Sequence, residues 1–257
     1  MSACCRLWAL VALLIAVGCS RDKADGRLVI FAASSLREAF TALGTDFERT
    51  HPGVRLVFNF AGTGELHTQL THGATADVFA SADQRHMDEL VRAGRVGEPV
   101  VFARNEPVLV VSQDAAGTIR GLADLPRASR IVVGAPEVPI GRYTLQILDR
   151  AASHHGGDFR ARVEAKIVSR ELNVRQVLTK VRLGEAQAGV VYRSDTLGAS
   201  DLHVLDIPAA INVVAEYPLA TVTGTPHPGL AHDWTLLVLS EAGQRGLARA
   251  GFSAVQR

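Results

Sequence analysis

Cysteine is nearly absent from these 257 residues: the three present, Cys4, Cys5 and Cys19, all fall before position 20. The rest of the chain can form no disulfide and offers no thiol chemistry, so it relies on its hydrophobic core, which roughly 240 residues suffice to build. Charge of one sign is lacking as well. The formal net charge is +1, and with Arg6 set aside 26 basic residues face 26 acidic ones. That balance leaves no basic field for nucleic acid. Among nine histidines there is no His-x-x-x-His pair for a metal, no serine stands in a Gly-x-Ser-x-Gly elbow, and no glycine-rich stretch runs into Gly-Lys-Ser/Thr. These absences weigh against metallohydrolase, esterase and P-loop chemistry. His154-His155 adjoins glycines and an aspartate and reads as a surface loop. What is there is an ordinary globular composition, 47% hydrophobic and 21% charged.

One apolar run stands out at the start. Residues 1–18 carry a single arginine, Arg6, followed by an unbroken apolar stretch from Leu7 to Val17. Its flanks and length are those of a signal peptide rather than a membrane span. It ends in Ala16-Val17-Gly18-Cys19, which resembles the lipobox of bacterial lipoproteins. That resemblance implies that Cys19 is acylated as the mature N-terminus and anchors the protein outside the cytoplasm. Residues 19–26 then read as a polar tether.

The body is organised by places where the hydrophobic period changes. Leu28 to Phe31 is a short apolar run that suits a buried strand, and Leu36, Ala39, Phe40, Leu43 and Phe47 follow at helical spacing. Ser34 and Ser35 sit at the change, and Ser35 with Glu38 has the spacing of a capping box. A helix start exposes unpaired N–H groups and a partial positive charge, so such a junction can hold an oxyanion without any lysine. Three more junctions share the form. Residues 54–60 alternate as a strand and run into Ala61-Gly62-Thr63-Gly64, with Leu66 and Leu70 behind. The strand at 130–134 leads through Pro139 into a helix carrying Tyr143, Ile147 and Leu148, so the first free amide is that of Ile140. The strand at 166–169 leads to Asn173, a cap with Gln176, and to the amide of Val174. Ser81 with Gln84 has the spacing of a further capping box. Residues 107–112 form a nearly continuous buried strand, and the strand at 188–192 ends in Tyr192. Residues 202–207 and 217–223 read as strands, and 228–239 and 241–250 as closing helices.

Strands alternating with helices imply parallel sheets whose ligands lie beyond the carboxyl ends of the strands. Four anion-capable junctions, two before residue 105 and two after it, therefore point at one cleft between two lobes. The expected lobes are 27–104 plus 218–257 and 105–217, with crossings near 105 and 217.

FAASSL (31–36), AGTGEL (61–66), DVFASAD (77–83), VPIGRY (138–143), NVRQVL (173–178) and AGVVYRSD (188–195) together resemble the periplasmic molybdate-binding proteins of ABC transporters. The resemblance runs in order from Leu28 to the end. It implies an α/β fold of two lobes with mixed, mostly parallel sheets and two hinge crossings, closing on molybdate or tungstate. Residue by residue, it implies that Ser35 and Thr63 give hydroxyl and amide to the anion, Ile140 and Val174 their amides, and Tyr192 its phenol. It further implies delivery to the membrane permease of an ABC importer, a monomer, no cofactor, and no enzymatic turnover. Thr63 stands where serine is common in that family, and Ile140 where alanine is common. Arg37, Arg142, Arg175 and Arg193 each sit beside a motif, and are expected to be solvated or to pair across the lobes. The rival readings are a same-fold carrier of sulfate or another tetrahedral oxyanion, and a serine hydrolase built on Ser35. Three tyrosines are too few for a ferric site of tyrosine pairs.

Overall fold

The computed structural model describes residues 26–255; the expected signal peptide, Cys19 and residues 20–25 of the tether lie outside the described residues. Two five-stranded sheets frame the protein. In the first, β1 (Arg27–Ala33) lies parallel between β2 (Arg55–Ala61) and β3 (Val78–Ala80). There β10 (Ala215–Thr221) runs antiparallel between β3 and β4 (Val100–Asn105). In the second, β6 (Ile131–Gly134) lies parallel between β7 (Ile167–Glu171) and β8 (Ala188–Tyr192). There β5 (Pro107–Ser112) runs antiparallel between β8 and β9 (Leu202–Asp206).

The sheets are mixed, as expected for an α/β protein of two lobes. Their antiparallel pairings come from β10 and β5, the strands that follow each passage of the chain between sheets, together with their partners. The first passage is the single residue Glu106, and the second is residues 207–214.

Hydrophobic patterning explains which faces are covered. All six residues of β5 are buried, the pattern of a strand covered on both faces. On one side of the first sheet, α1 (Arg37–Thr50), α7 (Pro228–Leu239) and α8 (Glu241–Arg249) enclose an aromatic cluster. Trp234 lies at its centre, with ring centroids 5.2 Å from Phe40 and 5.7 Å from Phe47. On the other side, α2 (Thr63–Thr71) and α3 (Gln84–Arg92) bury Leu66, Leu70, Met87 and Leu90 against Phe31 and Phe79. In the second sheet, α4 (Pro139–His155), α5 (Phe159–Glu164) and α6 (Val174–Arg182) play the same part. Neither α5 nor the 3-10 turns at Gln113–Ala115 and Leu122–Arg127 was legible as helix, because each is too short to show a period. His154 and His155 form the last turn of α4 rather than a loop.

Two expected capping boxes are replaced by other bonds. Ser35 sits in a 3-10 turn, Ser34–Leu36, that precedes α1, and it caps nothing. Its hydroxyl pairs with the Tyr217 phenol at 2.9 Å, and Glu38 reaches Arg175 instead of its own helix start. Ahead of α3 the cap is Asp83, whose Oδ1 accepts from the His86 N–H at 3.0 Å. Ser81 only braces that turn, donating to the Asp83 carbonyl at 2.6 Å. In both cases a stronger acceptor or a buried partner outcompetes the local serine. The third expected cap holds: Asn173 Oδ1 accepts from the Gln176 N–H and Gln176 Oε1 from the Leu172 N–H, each at 3.1 Å.

Candidate functional site

Five strands end at one place. β1 stops at Ala33, β2 at Ala61, β6 at Gly134, β7 at Glu171 and β8 at Tyr192. The residues that follow the first four, together with Tyr192 itself, wall a small cavity between the sheets. Ser35, Thr63, Ile140, Val174 and Tyr192 all line it, and each is 4% exposed or less. The first sheet supplies Ser34, Ser35, Gly62 and Thr63; the second supplies Val138, Ile140, Asn173, Val174 and Tyr192. No Asp, Glu, Lys, Arg or His is among the lining residues.

The cavity measures about 20 Å³. Taken as room for the centre of a water-sized sphere, that corresponds to an occupant of roughly 3 Å radius. One tetrahedral oxyanion has that size.

Local structure explains the donor set. Thr63 and Val174 open α2 and α6, and Ile140 follows Pro139 at the start of α4. First-turn amides have no intrahelical acceptor, and the helix dipole makes that end attractive to negative charge. The hydroxyls are directed as well. Thr63 Oγ1 accepts the Ala82 N–H at 3.1 Å, which leaves its own proton to give. The Tyr192 phenol is buried without a hydrogen-bond partner among the described residues. Burial pushes its pKa well above the ordinary value, so it stays a neutral donor.

Close backbone approach shapes the opening. A Cβ on Gly62 would lie 2.3 Å from the Leu172 carbonyl oxygen, which belongs to the opposite wall. A Cβ on Gly141 would meet the Ala135 carbonyl at 2.0 Å, where residues 135–138 fold back over the start of α4. Both contacts need glycine.

The four arginines beside the motifs stay out of the cavity lining. Arg142, from α4, pairs with Asp83 of the first sheet's side, and Arg175, from α6, with Glu38 of α1. Arg85 donates to the Glu137 carbonyl at 3.2 Å in the reverse sense. Arg193 pairs with Asp206 at 2.8 Å, and the Arg37 guanidinium lies 4.7 Å from the Phe60 ring centre. Three contacts between charged side chains and the opposite side thus ring the cleft.

Two carboxyls near this rim are strongly perturbed. Burial alone would raise Asp83, but hydrogen bonds from His86 and Arg142 outweigh it and hold the group at about 2. Asp195 is pushed up to about 7 by burial, against the pull of Arg175, whose Nε lies 2.9 Å from Oδ1, and of the Tyr192 N–H.

Sequence reasoning missed Tyr217, Asp195 and the Asp83–Arg142 pair as parts of the site's surroundings. The scarcity of tyrosine was the one available signal for Tyr217. Its partner Ser35 lies 182 residues away in sequence.

Comparison with known proteins bears on which solute the cavity suits. The family model described as bacterial extracellular solute-binding protein matches residues 28–253. The molybdate-binding protein ModA of Mycobacterium tuberculosis is 43% identical over 229 residues, covering 88% of this chain and 84% of that protein. Among solved structures, the periplasmic molybdate-binding protein of Azotobacter vinelandii aligns with a TM-score of 0.77 at 18% identity, covering 89% of this chain and 100% of that one. The sulfate-binding protein SubI of Mycobacterium tuberculosis aligns with a TM-score of 0.79 at 19% identity, covering 90% and 87%. At such identities these structures show a shared fold, and a fold common to carriers named for two different anions does not choose between them.

Proposed function

The chain belongs to the family of bacterial extracellular solute-binding proteins, and from that premise we propose that it captures molybdate, and tungstate with it, for delivery to the permease of an ABC importer. The observation that carries this reading is the neutral donor set: Ser35, Thr63, Ile140, Val174 and Tyr192 brought from both sheets onto one oxyanion-sized cavity. Molybdate and tungstate are fully deprotonated at neutral pH and offer acceptors only. Donors without charge match them, and they bury no fixed cation when the cleft is without ligand.

Magnitudes support tight capture. Hydrogen bonds to a charged acceptor contribute about 1.5–3 kcal/mol each. Seven gross on the order of 10–20 kcal/mol, of which about 4–15 is lost to association and ordering. A net near −8 to −12 kcal/mol corresponds to roughly micromolar to nanomolar affinity. Ser35 works here as a ligand, since its hydroxyl pairs with a phenol rather than with an imidazole. The two lobes, one built on each sheet, close on the anion by hinge motion at the passages through Glu106 and 207–214; the boundaries expected at 105 and 217 shift accordingly, because Asn105 and residues 215–217 pair within the first sheet. Location outside the cytoplasm follows from the family, and a lipid on Cys19 would hold the protein at a membrane.

Titration calorimetry with molybdate, tungstate and sulfate tests the reading. Molybdate and tungstate are expected to bind at micromolar affinity or tighter, with sulfate weaker by at least tenfold. Sulfate binding alone, or no heat with any of the three, overturns it. Mass measurement of the mature N-terminus tests the lipid on Cys19.

A further inference from the structure

The neighbours of His86 leave its ring no choice of role. The residue lies in the first turn of α3 and is 4% exposed. Its Nδ1 is 2.9 and 3.0 Å from the two oxygens of Asp83, and its Nε2 is 2.9 Å from Arg85 Nη2. A guanidinium can only donate, so Nε2 accepts and carries no proton. The ring proton is therefore on Nδ1, aimed at a carboxylate that the His86 backbone N–H and Arg142 also engage. Helix α2 holds the ring in place: His67 meets it edge-on with centroids 5.4 Å apart, and a Cβ on Gly64 would lie 3.6 Å from Nε2.

Arg85 Nη2 has two protons to give. One goes to His86, and the other crosses the cleft to the Glu137 carbonyl at 3.2 Å. Nη1 of the same guanidinium meets Glu89 Oε1 at 3.1 Å, and Glu89 Oε2 meets His67 Nε2 at 3.3 Å. Groups on the first sheet's side thus orient Arg85 for the carbonyl opposite. At the far end of the chain of contacts, Asp83 receives Arg142 from α4. The run Arg142, Asp83, His86, Arg85, Glu137 leaves the second sheet's side and returns to it. Its two landing points bracket Ile140, which lines the cavity and follows Pro139 at the start of α4. A hold at one end would let that segment pivot, whereas holds at both ends fix the direction of the Ile140 amide.

We propose that Arg85 and His86 are positioning residues which, through Asp83, pin both ends of segment 137–142 to the first lobe, and so set how long a bound oxyanion is retained. The inference rests on the oxyanion reading above and deepens it from capture to release. Glu137 and Arg142 stand on one side of the cleft, and Asp83, Arg85 and His86 on the other. The run is complete only while the lobes meet, so it opposes dissociation and leaves encounter alone.

The test measures release of radiolabelled molybdate chased with unlabelled molybdate, with Kd from titration calorimetry, on the mature protein. Arg85→Gln is expected to raise the dissociation rate about threefold, the scale of one exposed charged contact, with the association rate within about twofold of wild type. Two isosteres separate the two nitrogens of His86. His86→Asn keeps a donor near the place of Nδ1 and loses the acceptor; His86→Gln keeps an acceptor near the place of Nε2. In the His86→Asn background Arg85→Gln should add less than about 1.5-fold, whereas in the His86→Gln background its roughly threefold effect should persist. A histidine that merely fills space makes the cost of Arg85→Gln equal in both backgrounds, and that result overturns the inference, as does a change confined to association. Nitrogen-15 NMR of the loaded protein at neutral pH should find the His86 proton on Nδ1 and Nε2 bare, and a proton on Nε2 overturns it too. Melting temperatures without ligand establish that the His86 variants fold; Arg85, with its side chain 46% exposed, carries the test alone where they do not. Wild-type protein that retains neither molybdate nor tungstate would remove the oxyanion reading itself. Wild-type retention with an unchanged release rate in Arg85→Gln would remove only the clamp.

Discussion

Replacing Tyr192 by phenylalanine should move ligand affinity and intrinsic stability in different directions. The phenol is buried without a hydrogen-bond partner among the described residues, while its ring packs against Tyr143 and Tyr217 at 6.4 and 5.8 Å. Phenylalanine keeps those contacts and deletes one hydroxyl. Without ligand, the change removes a polar group that no atom of the described residues satisfies, which is neutral or stabilising by up to about 1–3 kcal/mol. In a chain of this size each kcal/mol moves Tm by about 2–4 °C. With molybdate, the variant lacks one hydrogen bond to a charged acceptor, about 1.5–3 kcal/mol. That is roughly a 10- to 150-fold rise in Kd. Calorimetric titration reads the second effect and scanning calorimetry the first. Tm without ligand should hold or rise, and the rise caused by a fixed molybdate concentration should shrink. A Kd within twofold of wild type, or a ligand-free Tm lower by several degrees, would refute the assignment of that hydroxyl to the anion.

Gly62→Ala should weaken molybdate binding at least tenfold with little change in ligand-free Tm, because the added Cβ would fall 2.3 Å from the Leu172 carbonyl only when the walls meet. Small-angle scattering should then show no compaction at molybdate concentrations that compact the wild type. Asp83 titrates at about 2 against 3.8 for a free carboxyl. Its contribution, roughly 2 kcal/mol by linkage, is present above pH ~4 and is lost as pH falls toward 2. Asp83→Asn should flatten that acid limb and cost about 3 kcal/mol at pH 7, where Arg142 loses its partner, as chemical denaturation would report. Asp195 behaves oppositely: its folded pKa, raised to about 7 chiefly by burial, means stability falls as pH rises from about 4 through 7. Asp195→Asn should therefore gain in Tm over wild type at pH 8 and show no gain at pH 4. Equal differences at the two pH values would contradict the raised pKa.

Much of this was legible because it depends on short stretches. A change from an apolar run to helical spacing marks a strand end and a helix start within a dozen residues, and four such changes precede Ser35, Thr63, Ile140 and Val174. The structure brings those four and Tyr192 to one cavity. Helix ends marked by a glycine were equally local: Gly94 and Gly184 take φ of 65° and 72° where α3 and α6 stop. What escaped were features set by residues distant in sequence. Ser35 looked like a cap for Glu38's helix because three-residue spacing is all a sequence shows, whereas the hydroxyl turns to Tyr217 from a strand that returns near the end of the chain. Asp83 lies within a recognised motif, yet its pairing with Arg142 arises only once the two sheets face each other. The raised pKa of Asp195 comes from burial under elements that no local pattern reveals.

These same distant contacts bear on how an occupied protein differs from one without solute. The pair Arg175–Glu38 has a half-exposed carboxylate, and Arg85 reaches Glu137 at the surface, so each adds little to closure, about 0–1 kcal/mol for exposed pairs. Arg142–Asp83 is more buried and adds more, but its carboxylate keeps His86 as a partner when the lobes part, which limits the loss on opening. Against these stands the donor set. Closing over nothing would bury the Tyr192 hydroxyl and the first-turn amides away from water without acceptors, at about 1–3 kcal/mol for each orphan. Two or three such groups are enough to outweigh the rim pairs. A dianion reverses that penalty and adds its own attraction. Moving a population from mostly open to mostly closed needs about 5.5 kcal/mol of differential binding, within reach of a few charge-assisted bonds. On the proposed function, the donors that select the anion also couple closure to its presence, and the rim pairs set only where the balance lies.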